Sequence, residues 1–157
     1  MSNEATRRRK AKGRSAARYV GIPDYVFRSE EFGRLNGWDL KLLVELAGSF
    51  NGYNNGNLSC AYSVLKERGW RSNGTLTDSR RRLIEAGWIV TTRHGGRHRC
   101  ALFALTWLPI DPCEGKGLEL PAEKTPSNRW QKTKRVAAIR TNVAAIRTHE
   151  APELVKK

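Results

Sequence analysis

The sequence lacks the features that would place this chain in a membrane or outside the cell. No apolar run approaches the roughly 18 residues that a membrane span needs. The first residues are polar and basic, without the apolar stretch of a secretory signal. Cys60, Cys100 and Cys113 are odd in number and widely spaced, which predicts free thiols in a reducing cytosol rather than a disulfide framework. We therefore expect a cytoplasmic protein with no membrane partner.

Arrangements that would support catalysis are also missing from the sequence. It shows no Ser/His/Asp arrangement, no clustered carboxylates and no phosphate-cradling glycine loop. His94, His98 and Cys100 suggest a zinc site, but Cys100 would lie lower on the same ribbon and no fourth ligand is evident. We predict that the protein is not an enzyme and uses no cofactor, metal or small-molecule substrate.

Acidic residues are scarce relative to basic ones. The chain has 29 Lys and Arg against 15 Asp and Glu, a formal net charge of +14 and a pI near 10.4. Such a surface attracts polyanions, most often nucleic acid and less often acidic lipid. The excess is spread along the chain, at +6 (7−1) in residues 1–18, +4 (12−8) in 19–110 and +4 (10−6) in 111–157.

Those three segments also differ in apolar content. Residues 1–18 hold no large apolar side chain after Met1 and are predicted to be a disordered basic arm. Residues 19–110 hold most of the large apolar side chains and should form the folded domain. Residues 111–157 contain four prolines and many charges, which predicts a flexible basic tail. Its tandem VAAIRT repeat at 136–149 is either a helix formed on a protein partner or a duplication without a role.

Apolar spacing and capping residues predict four helices in the domain. The segment GWDLKLLVELAGSF has apolar residues at helical spacing and should be central and buried. Ser29, Ser59 and Ser72 are placed to cap helices, and Gly69 and Gly87 to end them. The last two helices are then joined by a short turn containing glycine, which is the outline of a helix-turn-helix.

A β-hairpin is predicted after the last helix. The β-rich runs WIVTTRH and RHRCALFALTW are separated by Gly-Gly at 95–96, which tolerates the positive φ angles of a tight turn. A three-residue loop would set Ile89 opposite Phe103, and a two-residue loop would set it opposite Leu102. We prefer the first because Phe103 then shares the buried face with Ile89.

The order helix, helix, turn, helix and ribbon, with SNGTLTDSRRRLIEAGWI leading into the hairpin, resembles the winged helix-turn-helix family of bacterial regulators and of plasmid and phage replication proteins. The resemblance covers roughly residues 30–107. It implies a mainly α fold with a small β-hairpin (α+β), built from three to four helices and a two-stranded wing. It also implies that the helix at 72–86 enters the major groove of DNA and that the hairpin at 88–107 lies along the backbone or minor groove.

The residues that would contact DNA follow from a turn of about 100° per helical residue. The residues expected to face the core are Leu76, Leu83, Ile84 and Gly87. Arg81, on the opposite side, could pair with guanine at about 1–3 kcal/mol of discrimination, while Arg80 and Arg82 should reach phosphates. The candidates in this helix are Asn73, Thr75, Thr77, Asp78, Arg80, Arg81 and Arg82. A merely solvated face is the alternative, although acids would usually interleave with such arginines.

Two further basic segments are expected at the interface. Narrow minor grooves attract inserted arginines, and Gly-Gly lets the hairpin tip approach closely; the alternative is an ordinary hairpin with a soluble tip. The candidates in the wing are Arg93, His94, Arg97, His98 and Arg99. The arm should add non-specific affinity by releasing counterions. Its candidates are Arg7, Arg8, Arg9 and Lys10.

Each of the five tryptophans has an expected place. Trp38, Trp88 and Trp107 should be in the core. Trp70 lies in the turn between helices, where it could pack or touch the DNA backbone. Trp130, in the tail, is expected to be a docking anchor or a further DNA contact.

These features predict sequence-selective binding of double-stranded DNA at the bacterial nucleoid, in transcriptional regulation or in replication of a mobile element. The alternatives are an adaptor whose C-terminal tail recruits a replication or recombination enzyme, and an RNA-binding protein. No long dimerisation helix is evident, which favours a monomer that lines up on repeated sites.

Overall fold

The computed structural model describes residues 19–131, so the basic arm and the VAAIRT repeat lie outside the described residues. The fold mixes helices with a three-stranded antiparallel sheet and is of the α+β class. The elements are α1 (Asp24–Phe27), α2 (Glu30–Gly33), α3 (Gly37–Ser49), β1 (Leu58–Ser59), α4 (Tyr62–Leu65), a 3-10 turn (Lys66–Arg68), α5 (Asn73–Glu85), β2 (Ile89–Arg93) and β3 (Leu102–Leu105). None of the helices within residues 19–131 has both the length and the apolar character that crossing a bilayer demands.

Side-chain caps begin three of these helices. The hydroxyl of Ser29 accepts from the backbone N–H of Phe32 at the start of α2, and that of Ser72 accepts from the N–H of Thr75 at the start of α5. Asn36 caps α3. These bonds satisfy N–H groups that have no partner within the helix. The predicted caps at Ser29 and Ser72 are confirmed.

The predicted cap at Ser59 is wrong. Ser59 lies in β1 and pairs with Leu102 of β3. The N-cap residue of α4 is Ala61, which has no side-chain cap. The α-helix that follows has only four residues before it tightens into the 3-10 turn. Gly69 ends that turn in the left-handed region, at φ 86°, as predicted.

The sheet order is β1-β3-β2, with β3 in the centre. The predicted hairpin register is wrong, because Ile89 pairs with Leu105 and Thr91 with Phe103, and a bulge follows before Arg93 pairs with Leu102. Every residue of β3 is buried. A strand buried on both faces has no polar and apolar alternation, so the alternation could not fix the register.

The main core lies between α3, α5 and one face of the sheet. Leu42, Leu43 and Leu46 of α3 meet Leu76 and Leu83 of α5. A smaller cluster of Val90, Ala104 and Ile110 covers the other face of the sheet.

Two residues predicted in the core are exposed instead. Ile84 is 38% exposed, because α5 meets α3 through Leu76, Ser79 and Leu83. Trp38 is 46% exposed in the first turn of α3 and leans on the buried Trp70, with ring centroids 5.3 Å apart. The predicted burial of Trp88 and Trp107 is confirmed.

The loop between α3 and β1 is fixed by Asn55, which is fully buried. Its amide group donates to the carbonyls of Leu105, Leu108 and Pro109, and its oxygen accepts from the N–H of Leu105. One side chain therefore holds the end of β3 and the chain that follows it.

Residues 111–131, which we call the strap, return across the domain instead of leaving it. The N–H of Glu119 donates to the carbonyl of Thr92 (2.7 Å), and that of Asn128 to the carbonyl of Thr106 (2.8 Å). Trp130 is 3% exposed and stacks on Trp88, at 4.8 Å between ring centroids and 5° between planes. The prediction of a flexible tail from residue 111 is therefore wrong for residues 111–131. Trp130 is a core residue rather than a free anchor.

Candidate nucleic-acid interface

The position of α5 is set by the turn that precedes it, residues 69–72. Trp70 lies in this turn with its side chain almost fully buried, and Lys41 of α3 donates to the carbonyl of Arg68 at 2.9 Å. The turn is therefore held against α3 from both sides of Gly69. Because Leu76, Ser79 and Leu83 are buried, α5 has one face locked in the core and the other open.

The open face of α5 carries most of the predicted residues. Asn73, Thr77, Asp78 and Arg81 are exposed, and Thr75 is half-buried. Arg81 and Asp78 are one turn apart and lie 3.3 Å from each other through a guanidinium nitrogen and a carboxylate oxygen. An exposed pair of this kind is worth at most about 1 kcal/mol, so Arg81 is free to exchange it for another acceptor.

The three consecutive arginines make different contacts. Arg82 turns back to α3. Its guanidinium donates hydrogen bonds from Nη2 and Nε to the two carboxylate oxygens of Asp39, at 2.8 and 2.9 Å. Asp39 is 4% exposed and also accepts from the amide of Asn36. Hydrogen bonding to Asp39 raises the pKa of Arg82. The charge of Arg82 therefore stabilises a buried carboxylate, and its contact with phosphates stays a prediction.

Arg80 is half-buried and differs from both the exposed Arg81 and the paired Arg82. Its guanidinium carbon is 6.0 Å from the ring centroid of Phe103 in β3, within reach of a cation–π contact, and the residue is half-buried. The neighbouring thiol of Cys60 is buried, and this burial raises its pKa to about 12. Arg80 therefore lies along the edge of the core, and Arg81 is the most exposed arginine of the triplet.

The hairpin tip is braced by the strap. The guanidinium of Arg93 donates to the carbonyls of Lys116 and Cys100. The N–H of His94 donates to Glu119 at 2.9 Å, and its ring nitrogen contacts the second carboxylate oxygen. Hydrogen bonds from His94 lower the pKa of Glu119. The structure thus engages Arg93 and His94 within the protein, whereas the sequence predicted them free for DNA.

Three of the predicted wing residues remain at the open tip. Arg97, His98 and Arg99 are exposed, and the tip is closed by a bond from the N–H of Gly96 to the carbonyl of Arg99. The predicted arm residues lie outside the described part of the chain. Across residues 19–131, no group of three or more His, Cys, Asp or Glu side chains is placed to hold a metal ion.

Local sequence signals could not have found the partners of Arg82 and His94. Asp39 precedes Arg82 by 43 positions, and Glu119 follows His94 by 25. The one usable hint was Asp39 itself, an acid on a helix otherwise predicted to be buried. A buried acid requires a partner, but the sequence does not say which arginine supplies it.

Comparison of the chain with protein families, curated proteins and solved structures found no match. What this interface can do must therefore follow from its own residues and geometry.

Proposed function

We propose that this protein is a winged helix-turn-helix protein that binds double-stranded DNA with sequence selectivity. The observation that carries the proposal is the open face of α5, which presents Arg81, Asp78, Thr77 and Asn73 while the opposite face is locked onto α3. An α-helix with side chains is about 10–12 Å across, which matches a major groove about 12 Å wide. The proposed setting is transcriptional regulation or replication of a mobile element.

The order of elements supports the same reading. A short helix, the turn at 69–72 and α5 lead directly into the β2–β3 hairpin, in the order that the sequence resemblance implies. The third strand, β1, pairs with β3 and fastens this hairpin to the domain. The tip therefore projects from a braced ribbon, and it carries Arg97 and Arg99 for phosphates or a minor groove.

The division of labour among the arginines makes the proposal specific. Arg82 is engaged with Asp39 and Arg80 lies over Phe103. Direct reading of bases therefore falls mainly to Arg81, which can donate two bonds to guanine O6 and N7. Asp78, one turn earlier, can accept from a cytosine amino group.

The test begins by selecting bound duplexes from a random pool with the full-length chain. Arg81→Ala should then lower the preference for the selected site over a scrambled one by about 5- to 150-fold, the equivalent of about 1–3 kcal/mol, while weak binding persists. Arg28→Ala is the matched control, because Arg28 is also a largely exposed arginine (75% against 63% for Arg81) and also pairs with a neighbouring acid, Asp24. Its preference should equal that of the unmodified protein.

An Arg81→Ala protein that selects the same sites with the same preference would contradict the assignment of α5. Tighter binding to RNA or single strands than to the selected duplex would replace the proposal with a different nucleic-acid partner. Arg82→Ala provides a second contrast. It should lower the free energy of unfolding by about 1–3 kcal/mol, because Asp39 loses its charged donor, and the folded fraction should keep its site preference.

A further inference from the structure

The hairpin tip, residues 93–99, carries a concentrated positive charge beside the strap. It holds three arginines and two histidines and no acid. The strap crosses this tip, where the guanidinium of Arg93 donates to the carbonyl of Lys116. The crossing is close, since a Cβ added at Gly117 would lie 2.9 Å from Nη2 of Arg99. The strap therefore brings its own side chains to a strongly basic surface.

One carboxylate of the strap, that of Glu119, lies on the hairpin tip. Its two oxygens accept separately, one from the backbone N–H of His94 at 2.9 Å and the other from the imidazole Nδ1. Because a carboxylate can only accept, Nδ1 carries the hydrogen in this contact. The hydrogen bonds from His94, with attraction to Arg99, lower the pKa of Glu119, so the group is ionised at neutral pH. The tip thus has a site for an oxyanion, which the protein fills with its own side chain.

The carboxylate of Glu119 can leave this site without displacing the strap. Two other bonds hold the strap beside the hairpin, from the N–H of Glu119 to the carbonyl of Thr92 at 2.7 Å and from Arg93 to Lys116. The side chains of His94 and Glu119 are 78% and 50% exposed. Because an exposed ion pair contributes little to stability, rotation of the Glu119 side chain would free both donors while the backbone stays in place.

We propose that this site receives a backbone phosphate of duplex DNA and that Glu119 competes with the phosphate for it. This inference rests on the proposed function, because it concerns how the hairpin meets DNA. A phosphate oxygen, like a carboxylate oxygen, is a negatively charged acceptor, so the two donors of His94 and the guanidinium of Arg99 suit either group. Phosphate contacts carry no sequence information. Glu119 therefore lowers the affinity for all duplexes alike.

The test measures binding of the full-length chain to two labelled duplexes, the selected site and a scrambled one, by fluorescence anisotropy. Glu119→Gln keeps the size of the side chain and removes its charge. One further phosphate contact should steepen the slope of log affinity against log salt by about 0.9. Over salt concentrations of about 50–200 mM, the variant should show this steeper slope and bind both duplexes about 5- to 10-fold more tightly than the unmodified protein.

Glu114→Gln is the matched control. Glu114 is an exposed acid of the same strap, and no salt bridge joins it to a basic side chain within residues 19–131. The two variants have the same net charge, so a general electrostatic effect would raise the affinity of both equally. The excess affinity of Glu119→Gln over Glu114→Gln therefore reports the site on the hairpin tip.

Equal affinities of the Glu119→Gln and Glu114→Gln variants would overturn the proposal. So would weaker binding by Glu119→Gln, which would mean that Glu119 only holds the tip in shape.

Arg81→Ala, measured on the same two duplexes, separates this inference from the proposed function. A gain for Glu119→Gln without any effect of Arg81→Ala on the preference supports the phosphate site and rejects the reading of bases by α5. The converse pair of results supports the role of α5 and rejects the phosphate site. An unmodified chain that binds neither duplex rejects both.

Discussion

Replacing Trp130 with alanine tests whether the strap belongs to the fold. Trp130 is nearly fully buried, lies flat on Trp88 and also stacks with Tyr25 at 6.4 Å between ring centroids. It is joined to the sheet through the bond from Asn128 to Thr106 two residues earlier. If these contacts hold the native state together, removing the indole must destabilise the whole domain.

The expected loss can be worked from the buried surface. A tryptophan side chain buries about 150–250 Å², and at about 25 cal/mol per Å² this amounts to about 4–6 kcal/mol. Measured losses for Trp→Ala in cores are about 3–5 kcal/mol. Out of a total of about 5–15 kcal/mol for a domain, such a loss should lower the melting temperature by about 10–20 °C.

The assay is urea unfolding of the full-length protein, followed by circular dichroism, with Trp38→Ala as the matched control. Trp38 is 46% exposed and contacts one other indole, that of Trp70. Its removal should cost about 2–3 kcal/mol, roughly half of the loss worked out for Trp130, by its smaller buried area. Equal losses for the two variants, or a loss below about 1 kcal/mol for Trp130→Ala, would refute the placement of the strap.

Three further predictions concern other buried features. Gly87→Ala should cost at least about 1–3 kcal/mol in urea unfolding, because φ is 78° and a Cβ would lie 2.7 Å from the backbone of Arg129; Gly33→Ala, with open space, is the control. Asn55→Ala should cost about 2–4 kcal/mol, since it leaves buried backbone groups of the β3 end unpaired. Ellman's reagent at pH 8 should modify the exposed Cys100 quickly and leave Cys60 unmodified until the protein is unfolded, because burial raises the pKa of Cys60 to about 12.

Each of these has a clear contrary result. Equal stability of the Gly87 and Gly33 variants would mean that the strap does not pass close to Gly87. An Asn55→Ala protein as stable as the parent would mean that its amide is not a structural anchor. Modification of Cys60 at the rate of Cys100 would mean that its surroundings open readily.

The parts of the fold that were predicted from the sequence are those set by near neighbours. The caps at Ser29 and Ser72 act over three residues, and the glycine stops at Gly69 and Gly87 depend on their own φ angles. Such features depend only on residues within one helical turn of each other. The helical spacing of α3 predicted its burial for the same reason.

The parts that were missed depend on contacts far along the chain. The predicted register of the hairpin was wrong because both faces of β3 are covered, one by the main core and the other by the cluster of Val90, Ala104 and Ile110, so neither face is polar. Arg82 was predicted to contact phosphates because the acid that it binds, Asp39, lies far from it in the sequence. Trp130 stands in a segment rich in proline and charge, and that composition hid the one side chain that completes the core.

The late position of Trp130 has a consequence for how the protein is made. Synthesis proceeds at about 5–20 residues per second, and 42 positions (130−88) separate the two stacked indoles. For about 2–8 s after Trp88 is added to the nascent chain, its partner has not yet been synthesised, and one side of its ring has nothing to cover it. The helices and hairpin are made first, and the interior is sealed only when the ribosome has passed residue 130.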